Sequence, residues 1–349
     1  MVSLKDIRSS NAIFKSTSPS GLTAVFVGAT SGIGQATVKQ LAKTANAPNV
    51  YIVGRSETAA AEQLDELRSL NPKGTFNFIE AQVSLMKEVD RVCDEIKSKE
   101  KKIDILFVSP GYITMGAKEE TQEGIDTLHA LRYYARLRFI YNLLPLLNAS
   151  PSARVISILA AGKEKPLDTT DLEVRHNYDA IKAAGVATTQ MTLALEELAR
   201  ENPSIAFIHK FPGLVNTGVI ARFLTNSAAG IWFLPAMFAK WVLLPVVNLF
   251  ITTPDEAGER GLFIATSSRY PPAEPKEGRF SVPLPAGVQV ARSSIVRDGK
   301  GNGVYRLGEV DESAPDSGEE NVEWRAGDAG KIVWESTLTT WERALGRSA

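Results

Sequence analysis

The sequence predicts an α/β fold in which one parallel, doubly wound sheet carries helices on both faces. Short apolar runs alternate with amphipathic helical patterns from residue 22 to about residue 211. Continuous apolar strands of this kind are typical of a parallel sheet that is buried on both faces. A glycine-rich turn joins the first of these strands to the first helix of the alternation.

Six strands and their connecting helices account for this part of the chain. The predicted strands are residues 22–28, 49–54, 75–79, 103–109, 154–159 and 204–211. The predicted helices are residues 33–45, 57–70, 84–99, 122–147 and 178–200, with a terminal helix at 331–345. Right-handed crossovers between the parallel strands then produce the doubly wound order.

We expect a single domain over residues 1–349, because the alternation is continuous and no internal repeat interrupts it. Its core covers residues 20–270, and an extension rich in proline, glycine and charge covers 271–349. Within the extension, residues 311–320 resemble an exposed acidic loop. Residues 222–252 are predicted to form an apolar lid over the substrate.

The strongly apolar part of this lid, residues 228–251, permits other interpretations. A helix of about twenty apolar residues could span a membrane. Lys240, Pro235 and Pro245 interrupt the segment, however, and make it a poor spanning helix. A lid is therefore the first expectation, peripheral contact with a membrane surface the second, and a span the third.

Composition excludes several classes of protein. The net charge of −1 argues against a nucleic-acid partner. The single cysteine, Cys93, cannot form a disulfide framework and is expected to pack as a small apolar residue. The three histidines lie far apart in sequence, so no metal site is predicted. The first residues lack the apolar region of a secretory signal, and a cytoplasmic location is the default expectation.

The turn after the first strand predicts a phosphate site. Its candidate binding residues are Gly28, Thr30, Ser31, Gly32, Ile33 and Gly34. The glycines allow the backbone to approach a diphosphate, and free N–H groups at the helix start hold its charge. The second strand ends in Gly54 and Arg55, without the acid that binds a ribose 2′-hydroxyl. A cation there suits a 2′-phosphate, so NADP(H) is favoured over NAD(H), with a solvated loop cation as the alternative.

Together with two later motifs, residues 20–220 resemble the short-chain dehydrogenase/reductase family. Tyr178 and Lys182 match its Tyr-x-x-x-Lys pair, and residues 212–217 match its Pro-Gly segment after the sixth strand. The resemblance implies a Rossmann fold, Tyr178 and Lys182 as catalytic residues, and similarity to fungal members in specialised metabolism. The further cofactor-binding residues that it implies are Gln82, Val83, Ser109, Gly111, Pro212, Gly213, Val215 and Thr217.

The spacing of the pair has a physical meaning of its own. Residues at positions i and i+4 share one face of a helix. An ammonium of Lys182 near the phenol of Tyr178 would stabilise the phenolate and lower its pKa. The phenol would then transfer protons more readily near neutral pH.

The sequence departs from the family where the substrate should bind. Ala160, or Leu159 with a shift of one residue, stands at the serine position, while Ser157 lies earlier in the strand and is expected to be structural. Arg132 occupies the usual asparagine position and either brings a cation to the site or pairs with an acid. His176 is either a proton donor beside Tyr178 or an ordinary loop histidine.

Three functions remain open at this stage. The first is NADP(H)-dependent reduction of a ketone, or oxidation of an alcohol, on a lipophilic small molecule, with Arg132 or His176 replacing the lost donor. The second is a non-redox isomerisation or cyclisation on the same fold, and the third is NADP(H) binding without catalysis. Monomer and homodimer both remain possible, because Arg132, Arg136 and Arg138 would make the usual interface face cationic.

Overall fold

A seven-stranded parallel sheet organises the chain. The computed structural model describes residues 1–112, 118–176, 178–217 and 251–346. The strands, in chain order, are β1 (Thr23–Val27), β2 (Asn49–Gly54), β3 (Thr75–Glu80), β4 (Ile105–Val108), β5 (Arg154–Ile158), β6 (Ala206–Lys210), β7 (Val296–Arg297), β8 (Lys300–Gly301) and β9 (Val304–Leu307). The main sheet has the order β3-β2-β1-β4-β5-β6-β9, and β7 and β8 form a separate antiparallel hairpin.

Helices connect and cover these strands. They are α1 (Leu4–Thr17), α2 (Gly32–Thr44), α3 (Glu57–Leu70), α4 (Met86–Lys99), α5 (Thr127–His129), α6 (Ala135–Ala149), α7 (Ala180–Glu201), α8 (Pro254–Thr266) and α9 (Ala329–Ala344). A π-helical segment, Ala130–Tyr134, joins α5 to α6. A 3-10 turn, Glu323–Arg325, precedes α9.

The sheet separates two apolar cores, as a strand buried on both faces requires. Successive side chains of a strand point to opposite faces, and all five residues of β1 are buried. Val25 and Val27 belong to the core under α4, α6, α7 and α9. Ala24 and Phe26 belong to the core under α1, α2, α3 and α8. The predicted doubly wound α/β fold is therefore confirmed.

Several elements of the structure were not predicted from the sequence, among them two helices and the last strand of the main sheet. Helix α1 begins after Ser3, whose side chain accepts a hydrogen bond from the Asp6 N–H at 3.2 Å. Helix α8 begins after Thr253, whose side chain caps the Glu256 N–H at the same distance. Strand β9 extends the sheet by pairing parallel to β6. A four-residue strand within a proline- and glycine-rich stretch offers too little periodicity for recognition.

The acidic segment 311–320 corrects part of a prediction, since its first acid is buried while Glu319 and Glu320 are exposed. Asp311 is fully buried. Its carboxylate lies 2.7 Å from the Lys210 ammonium at the end of β6 and 2.7 Å from the Arg260 guanidinium of α8. Charges that are buried so deeply require partners. The acid therefore fastens the C-terminal extension to the sheet, which charge patterning alone did not reveal.

The terminal helix α9 packs against α6 and α7 with its aromatic residues inward. Trp341 is buried and Trp334 is partly buried. The Arg138 guanidinium lies 5.0 Å from the centre of the Trp341 ring and pairs with Asp90 at 2.7 Å. Since Arg136 is also buried, the expected cationic face on α6 is wrong for both of these arginines.

The predicted lid, residues 222–252, lies outside the described residues except for positions 251 and 252. The apolar segment 228–251, the candidate for membrane contact, lies outside them except for position 251. Within the part of the chain that is described, no helix has the length and hydropathy needed to cross a membrane.

Candidate active site

Glycines allow the β1–α2 turn to pack directly against the loop after β4. Gly28 has a φ of +77°, and a Cβ atom added to it would lie 2.6 Å from the Cα of Pro110. A Cβ atom on Gly34 would lie 2.6 Å from Ser109 Oγ and 2.9 Å from the Cα of Ala29. No larger residue fits without movement of the backbone. Gly28 and Gly34 therefore have a structural reason, and they open a backbone cradle at the carboxyl edge of the sheet.

The start of α2 carries backbone donors without a protein cap. Ser31 is the extended N-cap residue, and its exposed side chain makes no capping hydrogen bond. The first turn contains no acidic residue. The first N–H groups of a helix have no partner within the helix and carry partial positive charge. A diphosphate fits this cradle, because it would supply the missing acceptors.

The end of β2 meets the same turn closely. A Cβ atom on Gly54 would lie 2.5 Å from the Thr30 side chain, so the strand end and the glycine loop are in contact. Arg55 follows and is exposed. In the described part of the chain, its side chain takes part in no ion pair. The residues present therefore suit an adenosine that carries a 2′-phosphate.

The expected residues after β3 and β4 extend this edge. Gln82 is exposed and its amide lies 3.4 Å from Ser84 Oγ, while Val83 is buried. Ser109 Oγ lies 3.4 Å from the carbonyl oxygen of Gly28 and thereby links β4 to the glycine loop. Gly111 is exposed. All four follow strands at the edge where dinucleotides bind in open parallel sheets.

The loop after β6 closes the cradle from the other side. It carries Pro212, Gly213 with a φ of +67°, and the buried Val215. A Cβ atom on Gly32 would lie 3.1 Å from the methyl carbon of Thr217. The Pro-Gly segment and the glycine turn are therefore neighbours, although more than 180 residues separate them in sequence.

Arg136 binds the ends of β4 and β5 together, a role that the sequence did not suggest. Its Nη1 donates to the carbonyl oxygens of Val108 at 3.2 Å and Ile158 at 2.6 Å, and to Ser157 Oγ at 3.1 Å. Its Nη2 donates to the carbonyl oxygen of Pro110 at 2.5 Å. Burial, and next the charge of Arg132, lower the pKa of Arg136 to about 9. Ser157 is thereby occupied and does not face a substrate.

His209 binds the backbone of Ala160, the residue at the serine position. Its Nε2 accepts a hydrogen bond from the Ala160 N–H at 3.2 Å. Its Nδ1 lies 2.8 Å from Thr192 Oγ1, and that hydroxyl donates to Glu164 Oε1 at 2.7 Å. Burial is the first cause that lowers the pKa of His209 to about 3, followed by the charges of Arg136 and Arg306. Although Glu164 lies 3.8 Å from the ring, it already pairs with Arg306 at 3.1 Å, so the imidazole remains neutral.

The Tyr178–Lys182 pair does not lie on one helix face. The Asp179 carboxylate accepts the N–H groups of Ile181 and Lys182 and starts α7 at Ala180. Tyr178 therefore precedes the helix, and Lys182 is exposed. The predicted helix began two residues too early, because an Asp at this position is a stronger helix start than the apolar pattern before it.

The charges that act on the phenol of Tyr178 come instead from Asp126, which caps α5, and from Arg132 of the π-helical segment. The Tyr178 Oη is buried without a hydrogen-bond partner in the described part of the chain, and so is Nη1 of Arg132. Burial raises the pKa of Tyr178, and the charge of Asp126 raises it further, whereas the charge of Arg132 opposes both. Asp126 is buried and caps the His129 N–H at 2.9 Å.

The remaining candidates are placed as follows. His176 is exposed, and its backbone N–H donates to the Asp171 carboxylate at 3.0 Å. Cys93 is buried among apolar side chains, and burial raises the pKa of its thiol. No group of histidine, cysteine and acidic residues that could hold a metal ion occurs among the residues that the structure describes.

Sequence reasoning missed Arg136, His209 and Asp126. Arg136 and His209 stand on a helix and a strand whose apolar patterns gave no reason to single them out. Their position was the only available signal. His209 is the last residue but one of β6, and Arg136 is the second residue of α6.

Comparison with known proteins places this geometry in a family. The family model described as short chain dehydrogenase matches residues 22–227. An oxidoreductase of Emericella nidulans is 42% identical over 99% of this chain and all of its own length. The short-chain dehydrogenase/reductase SAT2 of Stachybotrys chartarum is 30% identical over the whole chain and 99% of its own length.

Solved structures agree in fold. Pseudomonas aeruginosa RhlG, in an active-site complex with NADP, has a TM-score of 0.52 at 21% identity and matches 77% of this chain and 97% of its own. L-sorbose reductase from Gluconobacter frateurii, complexed with NADPH and L-sorbose, has a TM-score of 0.51 at 20% identity, with 70% and 90% covered. Because the family model spans more than half of the residues, the chain belongs to the short-chain dehydrogenase/reductase family and is an oxidoreductase similar to fungal members.

Proposed function

We propose that this protein is an NADP(H)-dependent oxidoreductase that interconverts a ketone and an alcohol on a lipophilic small molecule. The observation that carries the proposal is the glycine cradle at the uncapped start of α2, beside a strand that ends in Gly54 and Arg55. The cradle would hold the diphosphate and Arg55 the 2′-phosphate. Relatives of known structure were solved with NADP and NADPH, which supports the same choice.

Bound there, the cofactor supplies a hydride for the carbonyl carbon of the substrate. Tyr178 donates its phenolic proton to the carbonyl oxygen, which becomes the hydroxyl of the product, and the phenolate then recovers a proton from solvent. In the opposite direction the phenolate accepts the proton of the alcohol. The unpartnered Oη of Tyr178 is consistent with a group that waits for a substrate oxygen.

The rim of the site favours an apolar substrate. Three large apolar side chains near the carboxyl edge of the sheet are exposed: Tyr112 after β4 by 42%, Ile181 at the start of α7 by 66%, and Leu214 after β6 by 56%. Exposed apolar residues at a ligand-binding edge of a sheet favour apolar ligands. The similarity to fungal oxidoreductases further supports a substrate from specialised metabolism. A cytoplasmic location and the choice between monomer and homodimer stay predictions.

A dinucleotide titration tests the proposal. Nicotinamide fluorescence should show tighter binding of NADPH than of NADH to the purified protein. Arg55→Ala should weaken NADPH binding about tenfold, or about 1.4 kcal/mol, and leave NADH binding unchanged. Arg68→Ala, an exposed arginine of α3 that pairs with Asp65, is the matched control and should change neither affinity. Binding of neither dinucleotide refutes the proposal, and equal affinities refute its cofactor choice.

A non-redox reaction is the second candidate, because no hydroxyl stands at the serine position. Leu159 and Ala160 have none, and Ser157 is held by Arg136. The protein would then isomerise or cyclise a substrate with reactive carbonyl groups while the cofactor stays unchanged. Formation of product with no loss of NADPH absorbance would favour this candidate, and stoichiometric NADPH consumption would exclude it.

A further inference from the structure

The π-helical segment between α5 and α6 fixes the position of Arg132. The Ala135 N–H bonds to the carbonyl oxygen of Ala130, five residues earlier, and thereby inserts an extra residue into the turn. Tyr133 and Tyr134 on this segment are fully buried, and the Tyr133 hydroxyl lies 2.6 Å from Thr337 Oγ1 of α9. Isolated π-helical turns are rare and are found frequently at functional sites. The segment therefore holds the Arg132 backbone rigidly where a regular helix would place another residue.

Among the described residues, no acceptor accounts for the buried part of the Arg132 side chain. Its Nη1 is buried without a hydrogen-bond partner, and in the described residues Arg132 forms no ion pair. Leaving a buried donor of a charged group unpaired lowers the stability of the folded protein. Tyr178 lies just before α7, the helix that packs against this segment, and its Oη is likewise without a partner among the described residues. A ligand oxygen between these two donors would satisfy both.

Electrostatics around the phenol agree with this placement. Burial is the main cause that raises the pKa of Tyr178. Four groups also shift the pKa of Tyr178 through their charge. They are Asp126, which caps α5, Arg132 of the π-helical segment, Tyr112 after β4, and the neighbouring Asp179. Among these, Arg132 is the cation, and Lys182 is exposed. Arg132 of the π-helical segment therefore supplies the positive charge near Tyr178 that was expected from Lys182.

We propose that Arg132 is a catalytic residue that donates a hydrogen bond to the substrate carbonyl oxygen beside Tyr178, in place of the hydroxyl that Leu159 and Ala160 lack. This inference rests on the proposed oxidoreductase function. It also narrows the substrate class, because a guanidinium stabilises an oxygen that already carries negative charge more strongly than a neutral hydroxyl does. Ketones that ionise easily, above all β-dicarbonyl compounds, fit such a site.

The ionisation state of a bound probe tests the inference without turnover. Benzoylacetone, an aryl β-diketone, is titrated into the protein with saturating NADP⁺, which cannot reduce it, at a pH below its own pKa. We expect the ultraviolet band of the enolate to appear on binding. Arg132→Met should abolish the band and weaken binding at least tenfold, which is about 1.4 kcal/mol. Arg132→Lys should retain part of the band and part of the affinity, because the positive charge remains while the planar guanidinium donors are lost.

The controls separate the possible failures. Arg175→Met removes a half-exposed arginine that pairs with Glu173 in the neighbouring loop, and it should leave the band unchanged. NADPH affinity, measured first in each variant, shows whether it is folded and binds cofactor. An enolate band that persists in Arg132→Met, or that never appears in the wild-type protein, overturns the role of Arg132 while the proposed function stands. Binding of neither dinucleotide overturns the proposed function, and the inference with it.

Discussion

His209 should make the stability of this protein depend on pH, because the folded state holds the imidazole neutral. Its Nε2 must be unprotonated to accept the Ala160 N–H, and its Nδ1 lies 2.8 Å from Thr192 Oγ1. Burial lowers its pKa from 6.5 to about 3. Between these values the unfolded chain binds a proton that the folded protein refuses, so stability is complete above pH 6.5 and falls as the pH decreases.

The size of the effect follows from the two pKa values. At pH 5, protonation of the unfolded chain at this one histidine should lower the free energy of unfolding by about 2 kcal/mol relative to pH 7. The assay is urea denaturation at both pH values, followed by tryptophan fluorescence. His209→Gln, which keeps an acceptor for the Ala160 N–H but cannot titrate, should lose about 2 kcal/mol less than the wild-type protein on acidification. Its stability at pH 7 is expected to be lower, since the fit of the side chain changes.

His176→Gln provides the control, because this histidine is exposed and should leave the pH dependence as it is. His129, which is also buried with a lowered pKa, contributes equally to all three proteins and cancels in the comparison. The reasoning is refuted if His209→Gln and the wild-type protein lose the same free energy between pH 7 and pH 5.

Three further changes test the packing that shapes the site. Gly34→Ala should cost about 1–3 kcal/mol of stability and weaken NADPH binding, because the new Cβ would lie 2.6 Å from Ser109 Oγ. Gly185→Ala is the control: no atom lies within 4 Å of the new Cβ, so stability should rise by up to about 1 kcal/mol. Arg136→Met should lower the unfolding free energy by about 3 kcal/mol in chemical denaturation, because it leaves buried carbonyl groups of β4 and β5 without donors; an unchanged midpoint would contradict the bracing role. Trp341→Ala should cost about 3–5 kcal/mol through the cavity under α9, and a loss below about 1 kcal/mol would show that α9 is dispensable.

The regular part of the fold could be predicted because its signals are local. Strands β1 and β2 are continuous apolar runs, and the helix after β2 carries its own start signal, because Ser56 caps the Ala59 N–H of α3 at 3.2 Å. The glycines were recognisable since the close approach that each makes to a neighbouring backbone or side chain leaves no room for a Cβ atom. Periodicity and glycine spacing therefore located the cofactor edge of the sheet.

The extension could not be predicted because its stability comes from distant partners. Strand β9 is held by β6, about one hundred residues earlier in the chain, and Asp311 by Lys210 and Arg260. An acidic, glycine-rich sequence is equally compatible with solvent exposure until those cations are placed. The same limit explains Arg138, whose charge is balanced by Asp90 across the helix pair.

In the site, predictions for single residues were less accurate than the prediction of the sheet. The spacing of Tyr178 and Lys182 predicts a shared helix face only if both residues are helical, and the Asp179 cap decides otherwise. The motif placed Arg132 at the asparagine position but gave Arg136, four residues later, no role at the strand ends. In the structure Arg136 binds carbonyl groups of the strand ends, whereas Nη1 of Arg132 has no hydrogen-bond partner among the described residues.

These two arginines together bias the site toward anionic ligands. The charge of Arg132 is the second cause, after burial, that lowers the pKa of Arg136, so the two cations repel each other. In the described residues neither forms an ion pair with a carboxylate. A cation pair held close in a poorly solvated region raises the free energy of the folded state, and a bound anion relieves that cost. A ligand whose oxygen carries negative charge should therefore stabilise the protein against heat more than a neutral ketone of equal size, and the difference should disappear in Arg132→Met.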